Sequence, residues 1–196
     1  MRYPALDEPL PGDPEYSSLK KRLKRCDVLS HIIEEEGYEV GVELGLCDGR
    51  TSIFLLEHHP RLTMHGVDLW TAKGGKSFDF NSGYEAYDDP VEWDHKANRR
   101  KCEEAAKRFG DRFHIIHEDT AIASARFEPE SLDFVFLDAD HTIAGVERDI
   151  RAWLPKIKPG GMMIGDDLDW PTVKKAIDNM GLSYEGAPDS VWWSIK

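Results

Sequence analysis

Cysteine is scarce in this chain: three residues in 196 (Cys26, Cys47 and Cys102), with no CxxC spacing. An odd, scattered set argues against a disulfide framework and a zinc site, and points to a reducing compartment. No apolar run approaches the length of a membrane span. Met1 to Pro14 is rich in proline and acids and has no apolar core of signal-peptide length, so a cytoplasmic protein is the expectation. Basic residues are in deficit, 25 against 37 acidic, which gives a formal net charge of −12. That field opposes a phosphate backbone and argues against nucleic acid as a substrate. Internal repeats and low-complexity tracts are absent as well.

What is present suits one α/β domain with a full core. After an arm over residues 1–16, a single domain is expected over 17–196. Ser17 to Glu36 has helical periodicity and stops near Gly37. Its basic run Lys20-Lys21-Arg22-Leu23-Lys24-Arg25, with Leu19, Leu23, Cys26 and Ile33 on the apolar side, reads as a solvated face. Strands are expected at Val40–Leu46, Thr63–Leu69, Phe113–His117, Asp133–Asp138 and Met162–Ile164, with helices between them. One of these helices carries Ile143, Val146, Ile150, Trp153 and Ile157 at helical spacing. Pro159-Gly160-Gly161 reads as a turn. Strands alternating with helices imply a doubly wound, mostly parallel sheet. The last two strands, near 182–185 and 191–195, have no room for a crossover and must close as an antiparallel hairpin, giving seven strands in all. The connection 71–94 mixes turn signals with Phe78, Phe80, Tyr84 and Tyr87, and such long loops often serve as lids.

The chemistry concentrates in two acid-ended strands. Asp133-Phe134-Val135-Phe136-Leu137 runs into Asp138-Ala139-Asp140-His141, and Met162-Met163-Ile164 runs into Gly165-Asp166-Asp167. In an α/β sheet the strand ends are where sites are built. Clustered carboxylates raise one another's pKa unless a cation neutralises them, which suggests a hard divalent metal on oxygen ligands. The plainer alternative is that these acids cap strand ends and start turns.

A second signal is the turn Glu43-Leu44-Gly45-Leu46-Cys47-Asp48-Gly49-Arg50-Thr51-Ser52. The glycines allow close backbone approach to a ligand, and Thr51 or Ser52 can help cap the next helix. The spacing is GxxxG rather than the GxGxxG of dinucleotide folds, which weakens an NAD-dependent reading. Glu43 favours a cationic ligand over a phosphate. Asp68, ending the second strand, is placed to accept both hydroxyls of a ribose.

These stretches, together with Pro159-Gly160-Gly161 before Gly165-Asp166-Asp167, resemble the motifs of class I S-adenosylmethionine-dependent methyltransferases. The likeness runs over roughly 38–196. It is closest to the small-molecule O-methyltransferases of the catechol, caffeoyl-CoA and macrolide-sugar types. The resemblance implies S-adenosylmethionine and Mg²⁺, or a similar divalent cation, as cofactors, and a small hydroxylated molecule as the acceptor. An assembly into homo-oligomers is left open. By the resemblance, Glu43 and Gly45 line the methionine and ribose side of the cofactor, and Asp68 holds the ribose. Leu69 lies against the adenine, and Asp119 and Thr120 meet its edge. The metal ligands fall on Asp138, Asp166 and Asp167. The catalytic lysine of the catechol type is replaced by His141, so His141 and Asp138 are both candidate bases. A metal-independent methyltransferase and a non-catalytic cofactor-binding module are the alternatives.

Among the remaining singular residues, His58 and His59 suit a helix end and His114 and His117 an alternating strand, with no catalytic role. Trp192 and Trp193 are expected on opposite faces of the last strand. Trp70, Trp93 and Trp170 flank the acid-ended loops and are pocket candidates.

Overall fold

The computed structural model describes residues 24–71 and 94–196. The expected arm, the first turns of the helix expected from Ser17, Trp93 and the interior of the 71–94 connection lie outside the described residues. Among the described residues no helix is long and apolar enough to cross a membrane.

Strands and helices alternate as β1 (Val40–Leu44), β2 (Thr63–Asp68), β3 (Phe113–His117), β4 (Leu132–Leu137) and β5 (Ile157–Gly165), closed by β6 (Glu185–Gly186) and β7 (Trp192–Ile195). The helices are α1 (Arg25–Glu36), α2 (Arg50–His58), α3 (His95–Phe109), α4 (Thr120–Ala123), α5 (Ile143–Trp153) and α6 (Pro171–Asn179). The sheet order is β3-β2-β1-β4-β5-β7-β6. The first five strands pair in parallel, while β7 runs antiparallel to both β5 and β6. The doubly wound seven-stranded sheet with a reversed hairpin is thus the observed fold.

Period-two alternation divides the strands between two cores. Phe134, Phe136, Met162, Ile164 and Trp193 face the layer that also contains Val28, Leu29, Ile32, Leu55 and Cys102. Val135, Leu137, Met163 and Trp192 face the other, with Val146, Ile150, Trp153, Val173 and Ile177. Trp192 and Trp193 split between the faces, as their adjacency on a strand requires.

Three local expectations are corrected. Ile157 opens β5 rather than extending the α5 stripe, because the chain has already turned at Leu154–Lys156. Pro159-Gly160-Gly161 is not a turn before a strand but a bulge inside β5. Between the pairs Leu132–Ile157 and Phe134–Met162, β5 advances five residues while β4 advances two. Gly160 takes φ +81°, and its N–H donates to the Lys196 carbonyl at 3.1 Å, so the bulge is tied to the C-terminal strand. Finally, α2 is not capped by Thr51 or Ser52. Its N-cap is Gly49, in the left-handed region, and no side chain of that residue can reach the helix.

The sheet order reverses between β1 and β4, and backbone hydrogen bonds carry the pairing past the strand ends. Gly45 N–H donates to the Val67 carbonyl (2.9 Å), Asp138 N–H to Leu44 (2.9 Å) and Asp166 N–H to Leu137 (3.1 Å). The turns after β1, β2, β4 and β5 are thereby gathered at one carboxyl-terminal rim, the place where doubly wound sheets open a crevice.

Candidate active site

The glycine turn lies at the centre of that rim. Gly45 has φ +86°, and a Cβ there would collide with the backbone carbonyl of Asp138. Only glycine lets the turn after β1 lie flat on the turn after β4. Cys47 is also left-handed, at φ +50°. Its N–H donates to Asp68 Oδ2 (2.8 Å), and its carbonyl accepts from Trp70 Nε1 (2.7 Å). Asp68 Oδ1 accepts the Trp70 N–H at 2.6 Å. Asp68 therefore clips the end of β2 to the glycine turn, each oxygen keeping a further lone pair. Trp70, one of the pocket candidates, is buried as the wedge of this clip. Beside it, the Leu69 carbonyl accepts from His117 Nε2 at 2.7 Å.

Glu43 points inward. It is 2% exposed, and its Oε2 accepts from the backbone N–H (3.0 Å) and the hydroxyl of Ser52. Burial pushes its carboxyl up to about 8, against the opposing pull of the Ser52 bonds. It is a neutral group near pH 7 and satisfies an N–H of the first turn of α2, a task Gly49 cannot perform.

Asp119 and Thr120 follow β3. Asp119 is the N-cap of α4, accepting from Ala121 N (3.1 Å) and Ile122 N (3.3 Å), with Arg148 Nη1 3.4 Å from its other oxygen. The buried Thr120 hydroxyl donates to Asp149 at 2.8 Å.

The acid cluster is organised by two cations. Arg25 Nη1 bridges Asp138 Oδ2, at 2.7 Å, and Asp166 Oδ2. His141 Nε2 lies 2.9 Å from Asp167 Oδ2 and 3.5 Å from Asp138 Oδ1. Its ring packs against Trp170 with centroids 5.2 Å apart. Burial pulls the His141 imidazole down, but Asp138 and Asp167 outweigh it and raise it to about 10. With Asp138 and Asp167 both ionised and no cation between them, the protonated ring is the favoured form. Burial and the neighbouring Asp138 push Asp166 up to about 6, with Arg25 opposing them. Asp167 sits at φ +56° in a turn closed by Trp170 N–H on its carbonyl (2.8 Å). Asp140 turns away, accepting from Thr142 N at 2.9 Å as α5 begins.

Of the three residues expected to hold a metal, two share Arg25 and the third faces His141. Ligand atoms of Asp138, His141 and Asp167 all lie within 4.8 Å of one another, while Asp166, next in sequence to Asp167, pairs with Arg25. Carboxylate oxygens suit a hard divalent cation, so the donor chemistry of the acids fits, and His141 would join them only as a neutral ring.

Arg25 is the residue that sequence reasoning missed. Its basic run reads as a solvated face, yet Arg25 stands one turn before Val28 and Leu29 and two before Ile32, on the buried stripe of α1. Its neighbour Lys24 is exposed.

A family model described as a methyltransferase domain matches residues 42–168. No curated protein matches the chain in sequence. Among solved structures the chain is similar to a Staphylococcus aureus protein assigned as a caffeoyl-CoA O-methyltransferase. That likeness has a TM-score of 0.63 at 14% identity and covers 93% of this chain and 89% of that one. It is also similar to CalS11, a calicheamicin methyltransferase, with a TM-score of 0.63 at 13% identity over 97% and 88% of the two chains. A third is the Podospora anserina methyltransferase PaMTH1 bound to SAH, with a TM-score of 0.59 at 14% identity over 91% and 82%. At these identities the likeness is one of fold.

Proposed function

The chain belongs to the methyltransferase-domain family, and from that premise we propose that it transfers a methyl group from S-adenosylmethionine to a hydroxyl of a small molecule. The observation that carries the reading is the shared rim. The glycine turn clipped by Asp68 and the cluster of Asp138, Asp166 and Asp167 stand on adjacent strand ends at the point where the sheet order reverses. S-adenosylmethionine supplies the methyl group as a sulfonium. Asp68 accepts the ribose hydroxyls on its free lone pairs, and the backbone of Gly45 lets the methionine portion approach closely. Leu69, Asp119 and Thr120 border the adenine.

The acceptor hydroxyl enters over the acid cluster. Asp138, Asp166 and Asp167 would hold a divalent cation such as Mg²⁺, which would lower the pKa of that hydroxyl. Asp138 receives the hydroxyl proton. His141, 2.9 Å from Asp167 and 3.5 Å from Asp138, is the alternative base once a cation offsets the charge of those carboxylates. Transfer then needs chiefly alignment of the nucleophile in a site closed to water. The names of CalS11 and the caffeoyl-CoA enzyme suggest sugar and phenolic hydroxyls as the first acceptors to try.

The test is titration calorimetry with S-adenosylmethionine on the wild type and on Asp68→Asn. Asparagine keeps the size of the side chain and removes the charge, but it offers one acceptor oxygen where Asp68 uses two, so unfolding of the variant is measured beside its affinity. A loss of about 1.5–3 kcal/mol is expected, the worth of hydrogen bonds to a charged acceptor. No binding to the wild type overturns the reading, and an unchanged affinity in Asp68→Asn removes Asp68 from the cofactor site. Turnover of sugar and phenolic acceptors should cease in EDTA and return with Mg²⁺; turnover unaffected by EDTA means transfer without a metal.

A further inference from the structure

We propose that Arg25 is a tethered cation which competes with a divalent metal ion for the acid cluster, so that the metal is admitted only when the first turn of α1 moves away. The inference rests on the proposed metal role of Asp138, Asp166 and Asp167, and goes beyond it in assigning a function to a residue outside the matched region.

Arg25 does more than lie near the acids. A single nitrogen, Nη1, contacts oxygens from two different strand ends, Asp138 Oδ2 after β4 and Asp166 Oδ2 after β5. A metal shared by these two side chains would need the same facing oxygens. The guanidinium has no lone pair and cannot join a coordination shell. Its positive charge beside a dication would be strongly repelled in a half-buried site. Arginine and metal are therefore alternatives for the same carboxylates. Of the three acids, Asp167 alone is not bridged by Arg25, and it stands opposite His141.

The position of Arg25 is built by the fold. Its backbone N–H donates to Asp189 Oδ2 at 2.9 Å. Asp189 and Ser190 are both left-handed, at φ +56° and +63°, and this conformation turns the Asp189 carboxylate toward α1. The same turn grips the acid loop: the Ser190 carbonyl accepts from Leu168 N–H (2.9 Å), and its hydroxyl pairs with Asp169. The start of α1, the turn before β7 and the loop bearing Asp166 and Asp167 thus form one closed circuit. Arg25 is the first residue of its helix, where opening costs least. A displacement confined to that turn releases both carboxylates at once, whereas the body of α1 is held by Val28, Leu29 and Ile32 in the core.

The experiment is Mn²⁺ titration calorimetry of EDTA-treated protein, with electron paramagnetic resonance counting the bound ion, on the wild type, Arg25→Ala and Asp189→Gly. Glycine tolerates the left-handed backbone at 189 and deletes the anchor of Arg25 without touching any acid of the cluster. Arg25→Ala should bind Mn²⁺ about tenfold or more tightly than the wild type, and Asp189→Gly should shift the same way by less. If alanine at 25 yields no folded protein, Arg25→Gln, which keeps the stem and loses the charge, takes its place. Equal affinity in all three proteins, weaker binding to the Arg25 variant, or no Mn²⁺ bound by any of them overturns the proposal. S-adenosylmethionine titrated into the same samples separates the failures. If it binds while Mn²⁺ shows no dependence on Arg25, only the competition is lost; if it does not bind, the methyltransferase reading itself falls.

Discussion

At residue 43 a carboxyl group is closed off from solvent and placed where α2 begins without a side-chain cap. Its neutral form near pH 7, held by burial, means that Ser52 bonds to an acid rather than to a carboxylate. Glutamine reproduces that shape and still offers an oxygen to the Ser52 N–H. Glu43→Gln should therefore change stability by less than about 1 kcal/mol, while Glu43→Ala leaves the N–H and hydroxyl of Ser52 unpaired beside a cavity and should cost roughly 2–4 kcal/mol. Urea unfolding of the two variants decides it; equal losses would mean that Glu43 is ionised or that its bonds are replaced. Glu43 was conspicuous in the sequence as an acid before a glycine turn. Its burial was not, because alternation along β1 fixes which face it occupies but not whether a helix end will cover it. Arg25 shows the converse. A basic run looks solvated as a whole, and only the i+3 and i+4 relation to Val28 and Leu29 separates one arginine from its neighbours.

Elements were legible wherever apolar runs were long enough to carry a period. β4 and α5 came directly from Phe134-Val135-Phe136 and from Val146, Ile150 and Trp153, and the antiparallel hairpin from the lack of room for a crossover. What stayed hidden is short or made by distant partners. α4 has four residues, too few for any periodicity, and β6 is only Glu185–Gly186, at the far end of the strand expected near 182–185. The β5 bulge depends on a residue from another strand. Asp133 Oδ2 accepts from the N–H groups of Glu39 and Val40, both at 2.8 Å, and its Oδ1 from Lys158 Nζ at 2.6 Å. One side chain thus joins the entries of β1, β4 and β5 at the rim opposite the candidate site. Asp133→Ala strands two backbone donors and should cost roughly 1–3 kcal/mol. Because the damage is at the far rim, binding of S-adenosylmethionine to the folded variant should be unchanged. Thermal unfolding and ligand titration check the two halves separately, and a loss of affinity without a loss of stability would contradict this division of labour.

Across the whole molecule the buried ionisable groups set a pH dependence whose sign can be worked out group by group. Glu43 is raised to about 8, and Asp149 and Asp166 to about 6, each chiefly by burial. A raised carboxyl keeps its proton in the folded chain after the unfolded chain has lost it. Each of these acids therefore penalises folding increasingly as pH climbs from the ordinary carboxylate range through its folded value. His141 acts in the same direction. Raised to about 10, it contributes stability that is complete below the ordinary histidine pKa and lost as pH rises through 10. His65 opposes them on the acid side. Burial and the stacked His114, at 4.7 Å between centroids, lower it to about 4, so the fold loses stability as pH falls from the histidine range toward that value. The net charge of −12 adds self-repulsion that grows with alkalinity. In EDTA, three raised carboxyls outweigh the single lowered histidine, so the melting temperature should already decline from the mildly acidic range and fall by several degrees between pH 6 and 9, at about 2–4 °C per kcal/mol for a chain of this size. Glu43→Gln should flatten the decline between pH 7 and 9, because it removes a carboxyl raised to about 8. His65→Phe removes the opposing contribution, so it should steepen the decline between pH 4 and 6 and leave the alkaline range alone. A melting temperature that rises from pH 6 to 9 would require Glu43 to be ionised and His141 to be neutral in the folded chain, contrary to the contacts each of them makes.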